Sequence, residues 1–403
     1  MTVRPDPSLP IPARPDGSPT EVFLAFLVLG LTAFGGPVAH LGYFREAFVV
    51  RRRWLDEEAY ADLVALCQFL PGPASSQVGF VLGWRRAGFP GAMAAWSAFT
   101  LPSALLLVLV AAGADALAGP AGAGLLHGLK LAAVAVVAQA VWSMARTLTP
   151  DPTRAGIAAA ALVTLTTGPA GQVAAIAGGA LAGMWLCRAG LSAPAAALRC
   201  PISRRTGVVA LALFVALPVL AALAALTGSP AAALFGAVYR AGALVFGGGH
   251  VVLPLLEAEV VRPGWIGADA FLAGYGAAQA VPGPLFTVAA YLGALAAPGP
   301  GGIAGAALCL AAIFLPGLLL VTGVLPFWEG LRDRPGMRMA LRGANAAVVG
   351  LLAAALWHPL GTGAILAPTD FAVALAGVAA LTVAGTPPWL VVGASALAGL
   401  MLG

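Results

Sequence analysis

Two histidines in this sequence stand beside clusters of glycine. His40 follows Gly35-Gly36-Pro37, and His250 directly follows Gly247-Gly248-Gly249. Backbone stripped of side chains lets a ligand approach closely, and a neighbouring imidazole can donate to an anion or carry a proton. Polar side chains also follow two Pro-Gly-Pro runs: Ser75, Ser76 and Gln77 come after Pro71-Gly72-Pro73, and Thr287 after Pro282-Gly283-Pro284. Gln68 and Gln279 each precede a run by three residues, where an amide can hydrogen-bond backbone released by the break. Every break ends one helix and begins another, near Pro37, Pro73, Gly249 or Pro284, and proline suits a first helical turn. Such helix starts present unpaired N–H groups and the positive end of a dipole, which suits an anion without a buried cation. Lys130 and Arg240 remain inside apolar segments, where a charge either attracts a negative substrate or snorkels to the headgroups. The glycines, His40, His250, Ser75, Ser76, Gln77, Thr287, Lys130 and Arg240 are therefore the expected substrate contacts. The prolines with Gln68 and Gln279 are expected to shape the tips. A plainer reading is that Gly and Pro mark kinks and packing sites, as they often do in membrane helices.

The expected chemistry stops at binding. No His-Glu-x-x-His, Gly-x-Ser-x-Gly or Walker loop is present, and no carboxylate cluster would hold a metal. The expectation is a protein that is not an enzyme and has no metal or cofactor. Cys67, Cys187, Cys200 and Cys309 have neither paired nor metal-like spacing and read as small apolar fillers. A net charge of +5 raises the question of nucleic acid, but the basic residues flank apolar segments and form no aromatic-interleaved patch.

The elements that must position these residues are membrane helices. A chain of 403 residues that is 60% hydrophobic and 9% charged is no ordinary soluble domain. Segments 92–113 and 208–228 are uncharged and long enough to cross a hydrocarbon core about 30 Å thick. Segments 22–34, 38–50, 59–70 and 74–84 are too short to cross. They pair around Phe34-Gly35-Gly36-Pro37 and Pro71-Gly72-Pro73 as two re-entrant hairpins. Full spans are expected at 92–113 and 125–144, followed by short helices at 155–167 and 173–186 that either cross or dip.

The series then starts again. Trp54 and Trp265, Gln68 and Gln279, and the two Pro-Gly-Pro runs are separated by 211 positions, Gly128 and Gly343 by 215. That spacing is a duplicated domain, since solenoid repeats have periods of about 20–50 residues. Basic residues follow the hairpins of the first copy (Arg45, Arg51–Arg53, Arg85, Arg86) but cluster after the first full span of the second (Arg332, Arg334, Arg338, Arg342). Lys and Arg mark the cytoplasmic side, so the copies are expected to lie upside down to one another. The expected class is an all-α polytopic membrane protein with inverted-topology duplicated repeats and broken, re-entrant helices. Its expected parts are a disordered cytoplasmic tail (1–20), a first repeat (21–187), a basic cytoplasmic linker (188–206), a connecting transmembrane helix (207–228) and an inverted second repeat (229–403).

At these residues the sequence resembles the chromate ion transporter family in its long, two-domain form. The resemblance rests on Phe34-Gly35-Gly36-Pro37 followed by Trp54 and Gln68-Phe69-Leu70-Pro71-Gly72-Pro73. It rests equally on Phe246-Gly247-Gly248-Gly249 followed by Pro254 and Gln279-Ala280-Val281-Pro282-Gly283-Pro284. It covers the chain from about residue 21. The resemblance implies a multi-pass protein of the bacterial inner membrane, N-terminus in the cytoplasm, exporting chromate and conferring chromate resistance, with sulfate as a related oxyanion. The expected function is secondary transport of a tetrahedral oxyanion by alternating access. Chromate or sulfate, membrane lipids and a second copy in a homodimer are the expected partners, with no nucleic acid. The alternatives are uptake of sulfate or another oxyanion, and a proton or cation channel using Glu257 and Glu259.

Overall fold

Proline and short oxygen-bearing side chains set where the helices start. A computed structural model describes residues 17–34, 36–113, 120–163, 168–187, 202–246, 251–297, 299–328, 330 and 334–402. The first helix, α1 (Pro19–Thr32), begins where Ser18 Oγ accepts the Glu21 N–H at 3.1 Å and Pro19 fits the first turn. Helix thus begins inside the segment expected as tail, most of which lies outside the described residues. Next come α2 (Gly36–Phe44), running on as a π-helical turn Arg45–Arg51, then α3 (Glu57–Phe69) and α4 (Ala74–Ala112). Asp56 and Glu57 start α3: Asp56 accepts the Ala59 N–H and Glu57 pairs with Arg45. Segment α4 is two helices in succession, separated by non-helical backbone at Ala87 and Gly88, in agreement with the expected division between 74–84 and 92–113. The first repeat ends with α5 (Pro120–Leu148), α6 (Pro152–Leu162) and α7 (Gly168–Leu186).

Helix α8 (Arg204–Leu226) leads to the second repeat. There α9 (Pro230–Ala243) precedes α10 (Val252–Leu256), which again runs into a π-helical turn, Glu257–Val261. Then follow α11 (Ala268–Ala280), a 3-10 turn Leu285–Thr287 leading into α12 (Val288–Leu295), and α13 (Gly302–Val324). Helix α14 (Pro335–Ala355), extended by turns Leu356–Gly361 and Thr362–Ala364, precedes α15 (Pro368–Thr382) and α16 (Pro388–Leu402). The described residues are helical with no strand. Four helices, α4, α5, α8 and α13, are long and apolar enough to cross a membrane.

Ion pairs show which helix ends lie together. Glu21 at the start of α1 holds Arg86 at 3.0 Å, Arg86 lies 5.5 Å over the Trp54 ring, and Arg45 holds Glu57 at 2.6 Å. The α1–α2 hairpin and the hairpin made by α3 with the first half of α4 therefore enter and leave at one end. At about 1.5 Å per residue, a 13- or 14-residue arm reaches about 20 Å, short of a crossing. The opposite end is set by the start of α5, where His127 Nε2 meets Asp370 Oδ1 of α15 at 2.8 Å and Gly124 abuts Gly399 of α16. Helices α15 and α16, of 15 residues each, thus form a hairpin whose outer ends lie at that opposite end.

The two repeats grip each other reciprocally. A Cβ at Gly343 of α14 would overlap Gly179 and Gly183 of α7, and one at Gly128 of α5 would overlap Ser395 of α16. These are equivalent positions in the two copies, so each contact is made twice, as a two-fold relation requires. Small residues four apart let the helix backbones touch. Helix α8 packs on α9 and α13 and leaves Val208, Val215, Val219 and Leu223 exposed, an outer apolar face suited to lipid.

Candidate functional site

The breaks meet in the middle. The Gly72 N–H donates to the Val245 carbonyl at 2.7 Å, and the Gly283 N–H donates to the Ala33 carbonyl at 2.9 Å. Each Pro-Gly-Pro tip is therefore hydrogen-bonded to the end of the first helix of the other repeat. Positive φ at both glycines, 120° and 96°, explains the residue type. Both N–H groups are engaged in this lock and are not free to bind an anion. Two further reciprocal approaches hold it: a Cβ at Gly72 would lie 2.9 Å from Gly317 Cα, and one at Gly283 would lie 3.0 Å from Ser103 Oγ. Gln77 Nε2 donates to the carbonyls of Pro71 and Gly317, both at 3.0 Å. The glutamine that satisfies freed tip backbone is thus Gln77, a role expected of Gln68 and Gln279. Pro73 and Pro284 sit at the N-caps of the helices that follow, and Thr287 Oγ1 donates to the Pro284 carbonyl at 2.8 Å.

Beside the Gly283 tip lies a cavity of about 190 Å³. Gly36, Gln139, Gln279, Gly283 and Thr386 contribute its polar lining, with Val136, Ala278 and Leu381 among its apolar walls. Three of these, Gly36, Gln279 and Gly283, were singled out in the sequence. Gly36 opens α2 with φ of 75° and nothing within 4 Å of where a Cβ would stand, so backbone conformation and not crowding requires glycine there. It places the start of a nine-residue helix at the cavity, with first-turn N–H groups that lack helical partners. Pro37, in that first turn, has no N–H to leave unpaired. Gln279 interacts with the Tyr275 hydroxyl, yet its Nε2 is buried with no hydrogen-bond partner. An unpaired buried amide donor costs about 1–3 kcal/mol, a penalty that a bound acceptor would remove. Among the described residues, the lining bears no charged side chain.

A family model described as "Chromate transporter" matches residues 20–184 and again residues 232–400. This chain belongs to the chromate transporter family. A probable chromate transport protein of Synechococcus elongatus is 29% identical over 344 residues, covering 82% of each chain. The chromate transport protein of Cupriavidus metallidurans is 27% identical, covering 83% of this chain and 81% of its own. That of Pseudomonas aeruginosa is 28% identical, covering 84% and 80%. No solved structure matches the chain. The double match agrees with the duplication, and the protein is a multi-pass membrane transporter of this family.

The transporter keeps most of the other singled-out residues away from the cavity. His40 is 1% exposed, with Nδ1 3.3 Å from Ser75 Oγ, Nε2 3.2 Å from the Ala33 carbonyl and its ring edge-on to Phe99. It braces the acceptor of the Gly283 lock. Ser76 Oγ and Gln77 Oε1 are buried without partners but do not line the cavity. Lys130 pairs with Asp269 in a second cavity of about 480 Å³ that Trp265 and Tyr291 also line. Arg240 is held by both carboxylate oxygens of Glu259, at 3.0 and 2.6 Å, and Arg262 lies 3.4 Å from Glu257. The anionic partner that Arg240 called for is therefore in the chain itself. Gly35 and Gly247, Gly248, Gly249 and His250 lie outside the described residues.

Gln139 and Thr386 were missed. Gln139 had a signal, being a lone polar residue in the apolar run Val136-Val137-Ala138-Gln139-Ala140-Val141. Its register partner is Ala354, so a search for paired features passes over it. Thr386 follows Gly385, at φ of 63°, in the tip of the α15–α16 hairpin. It reaches the cavity because the tip of that hairpin lies there.

Proposed function

We propose that this transporter carries chromate, with sulfate as a second tetrahedral dianion, and that the ion pauses in the 190 Å³ cavity beside Gly283. The observation that carries this reading is the unpaired Gln279 Nε2 in a cavity that Gly36 and the start of α2 also line. Amide donors and a helix start recognise an oxyanion without a buried lysine or arginine. Neutral donors also let it leave, whereas a fixed cation would hold it. The relatives are chromate transport proteins by name, and an oxyanion site agrees with that. Transport proceeds by alternating access, one repeat moving against the other around the locked tips. Export from the bacterial cytoplasm, with the N-terminus on that side, follows from the Lys and Arg distribution and the family resemblance. Lipid covers the outer face of α8, and in a homodimer a second copy would meet the same face.

Inside-out membrane vesicles test the proposal. Chromate accumulation above that of empty vesicles, competed by sulfate, is expected; no accumulation of either ion would sink it. The pairing of Glu259 with Arg240 and of Glu257 with Arg262 supports the carrier reading over a channel that uses these carboxylates.

A further inference from the structure

Helices α3 and α11 occupy equivalent places in the two repeats, yet their surroundings differ. Helix α11 packs along α5, with Leu272 and Gly276 buried and Gln279 half-buried. The approach at Gly276 is close enough that a Cβ there would overlap the Leu129 carbonyl. Shifted by 211 positions, the same face of α3 is Ala61, Ala65 and Gln68, and all three are exposed. Helix α3 makes no comparable packing on α14, the equivalent of α5. The outer polar groups differ in the same way. Lys130 and Asp269 pair across the α5–α11 seam, whereas their register partners, Asn345 and Glu58, do not, and Asn345 Oδ1 is buried without a partner.

Resting on the transport reading above, we propose that Ala61, Ala65 and Gln68 form a docking face for α14 in a second state of this chain. In that state the α3–α14 seam closes as the α5–α11 seam opens. The occupant is fixed by the two-fold relation: the equivalent face of α11 is seated on the equivalent helix, and every other major inter-repeat contact named above is made twice. Small side chains at Ala61 and Ala65 allow the helices to pack closely, with the Ala65 Cβ holding the α3–α14 seam wider than the Gly276–Leu129 contact. The seam closed here is the one latched by Lys130 and Asp269. With Lys and Arg marking the cytoplasm, the present state is closed outward and has its unsealed α3 face on the cytoplasmic side.

Two cysteine pairs test this in a background with Cys67, Cys187, Cys200 and Cys309 replaced. Lys130→Cys with Asp269→Cys reports the seam closed here; Ala65→Cys with Ala344→Cys reports its equivalent, because these positions match Gly276 and Leu129. A short bismaleimide is applied in membranes, and the joined peptides are identified by mass spectrometry. Both pairs should join within one chain, and each linkage should cut chromate uptake at least tenfold. An Ala65→Cys, Ala344→Cys protein that never joins while the other pair does would overturn the proposal, as would joining between two chains. A second variant, Ala65→Trp, projects from an exposed face and should leave membrane content unchanged while lowering uptake at least tenfold; full uptake would also overturn it. If the unlinked parent moved neither chromate nor sulfate, the transport reading would fall, while the joined peptides would still report the docking.

Discussion

The two Pro-Gly-Pro tips make the same hydrogen bond and sit in different surroundings. Gly72 is walled by Gly317 and Gln77, whereas Gly283 is walled on one side by Ser103 and opens on the other to the cavity. The glutamines three residues before them diverge likewise: Gln68 is exposed, and Gln279 holds an unpaired donor inside. Register equivalence therefore fixes where a residue sits along its helix and leaves open what surrounds it. The lock belongs to both repeats, and the candidate site belongs to one face of it.

The largest expected effect comes from giving a tip glycine a branched side chain. Gly283→Val should reduce uptake more than a hundredfold with the protein still in the membrane, because positive φ costs a β-carbon residue about 1–2 kcal/mol and the branch fills the space toward Ser103 and the cavity. Alanine separates the tips further. Gly72→Ala should lower the melting temperature slightly more than Gly283→Ala, since a Cβ at Gly72 meets Gly317 Cα at 2.9 Å while the nearest backbone atom to one at Gly283 is the Phe99 carbonyl oxygen at 3.1 Å. Gly283→Ala should cost more uptake. A reversed order in thermal shift and uptake assays would break the distinction.

Glutamine substitution comes next. Gln279→Leu should raise the KM for the oxyanion about 10–100-fold, as expected for losing a hydrogen bond to a charged group worth about 1.5–3 kcal/mol. Gln68→Leu should leave KM within about twofold. Equal effects in the vesicle assay would mean that the cavity is not the site.

Smaller effects concern the hairpin entries. Asp370 accepts the Leu366 and Ala367 N–H groups, each at 2.9 Å, and also meets His127 from the other repeat. Asp370→Ala should therefore destabilise by about 2–3 kcal/mol, above the usual cap value of about 1 kcal/mol. Asp151 caps α6 on its own, taking the Arg154 N–H at 2.9 Å, and Asp151→Ala should cost about 1 kcal/mol. The Arg154 N–H, and then its guanidinium, hold the Asp151 carboxyl below the ordinary carboxylate range. A depressed folded value means that this stabilisation is complete above the unfolded value of about 3.9 and fades as pH falls through the folded one. The melting-temperature gap between the wild type and Asp151→Ala should therefore stay constant above about pH 5 and shrink below about pH 4.

Much of this was legible in the residues because it is local. Prolines and glycines break helices whatever surrounds them, so the four breaks, the short arms and the 211-residue register could all be read from the sequence. The division of α4 was legible as well, because Ala87 and Gly88 leave helical geometry between the expected segments 74–84 and 92–113. Partners of the buried cations were hidden. Asp269 lies 139 positions from Lys130, and no periodicity links them.

By itself the sequence determined that this protein lives in a membrane, that it is built twice, and where each helix must break, because hydropathy and backbone freedom act over a few residues. Only the tertiary structure decided which break opens on a cavity, that the α15–α16 hairpin brings Thr386 there, and that α11 is seated while α3 is bare. Those outcomes depend on which surfaces of two equivalent repeats touch. Equivalent sequences can settle that contact differently on the two sides of one two-fold axis.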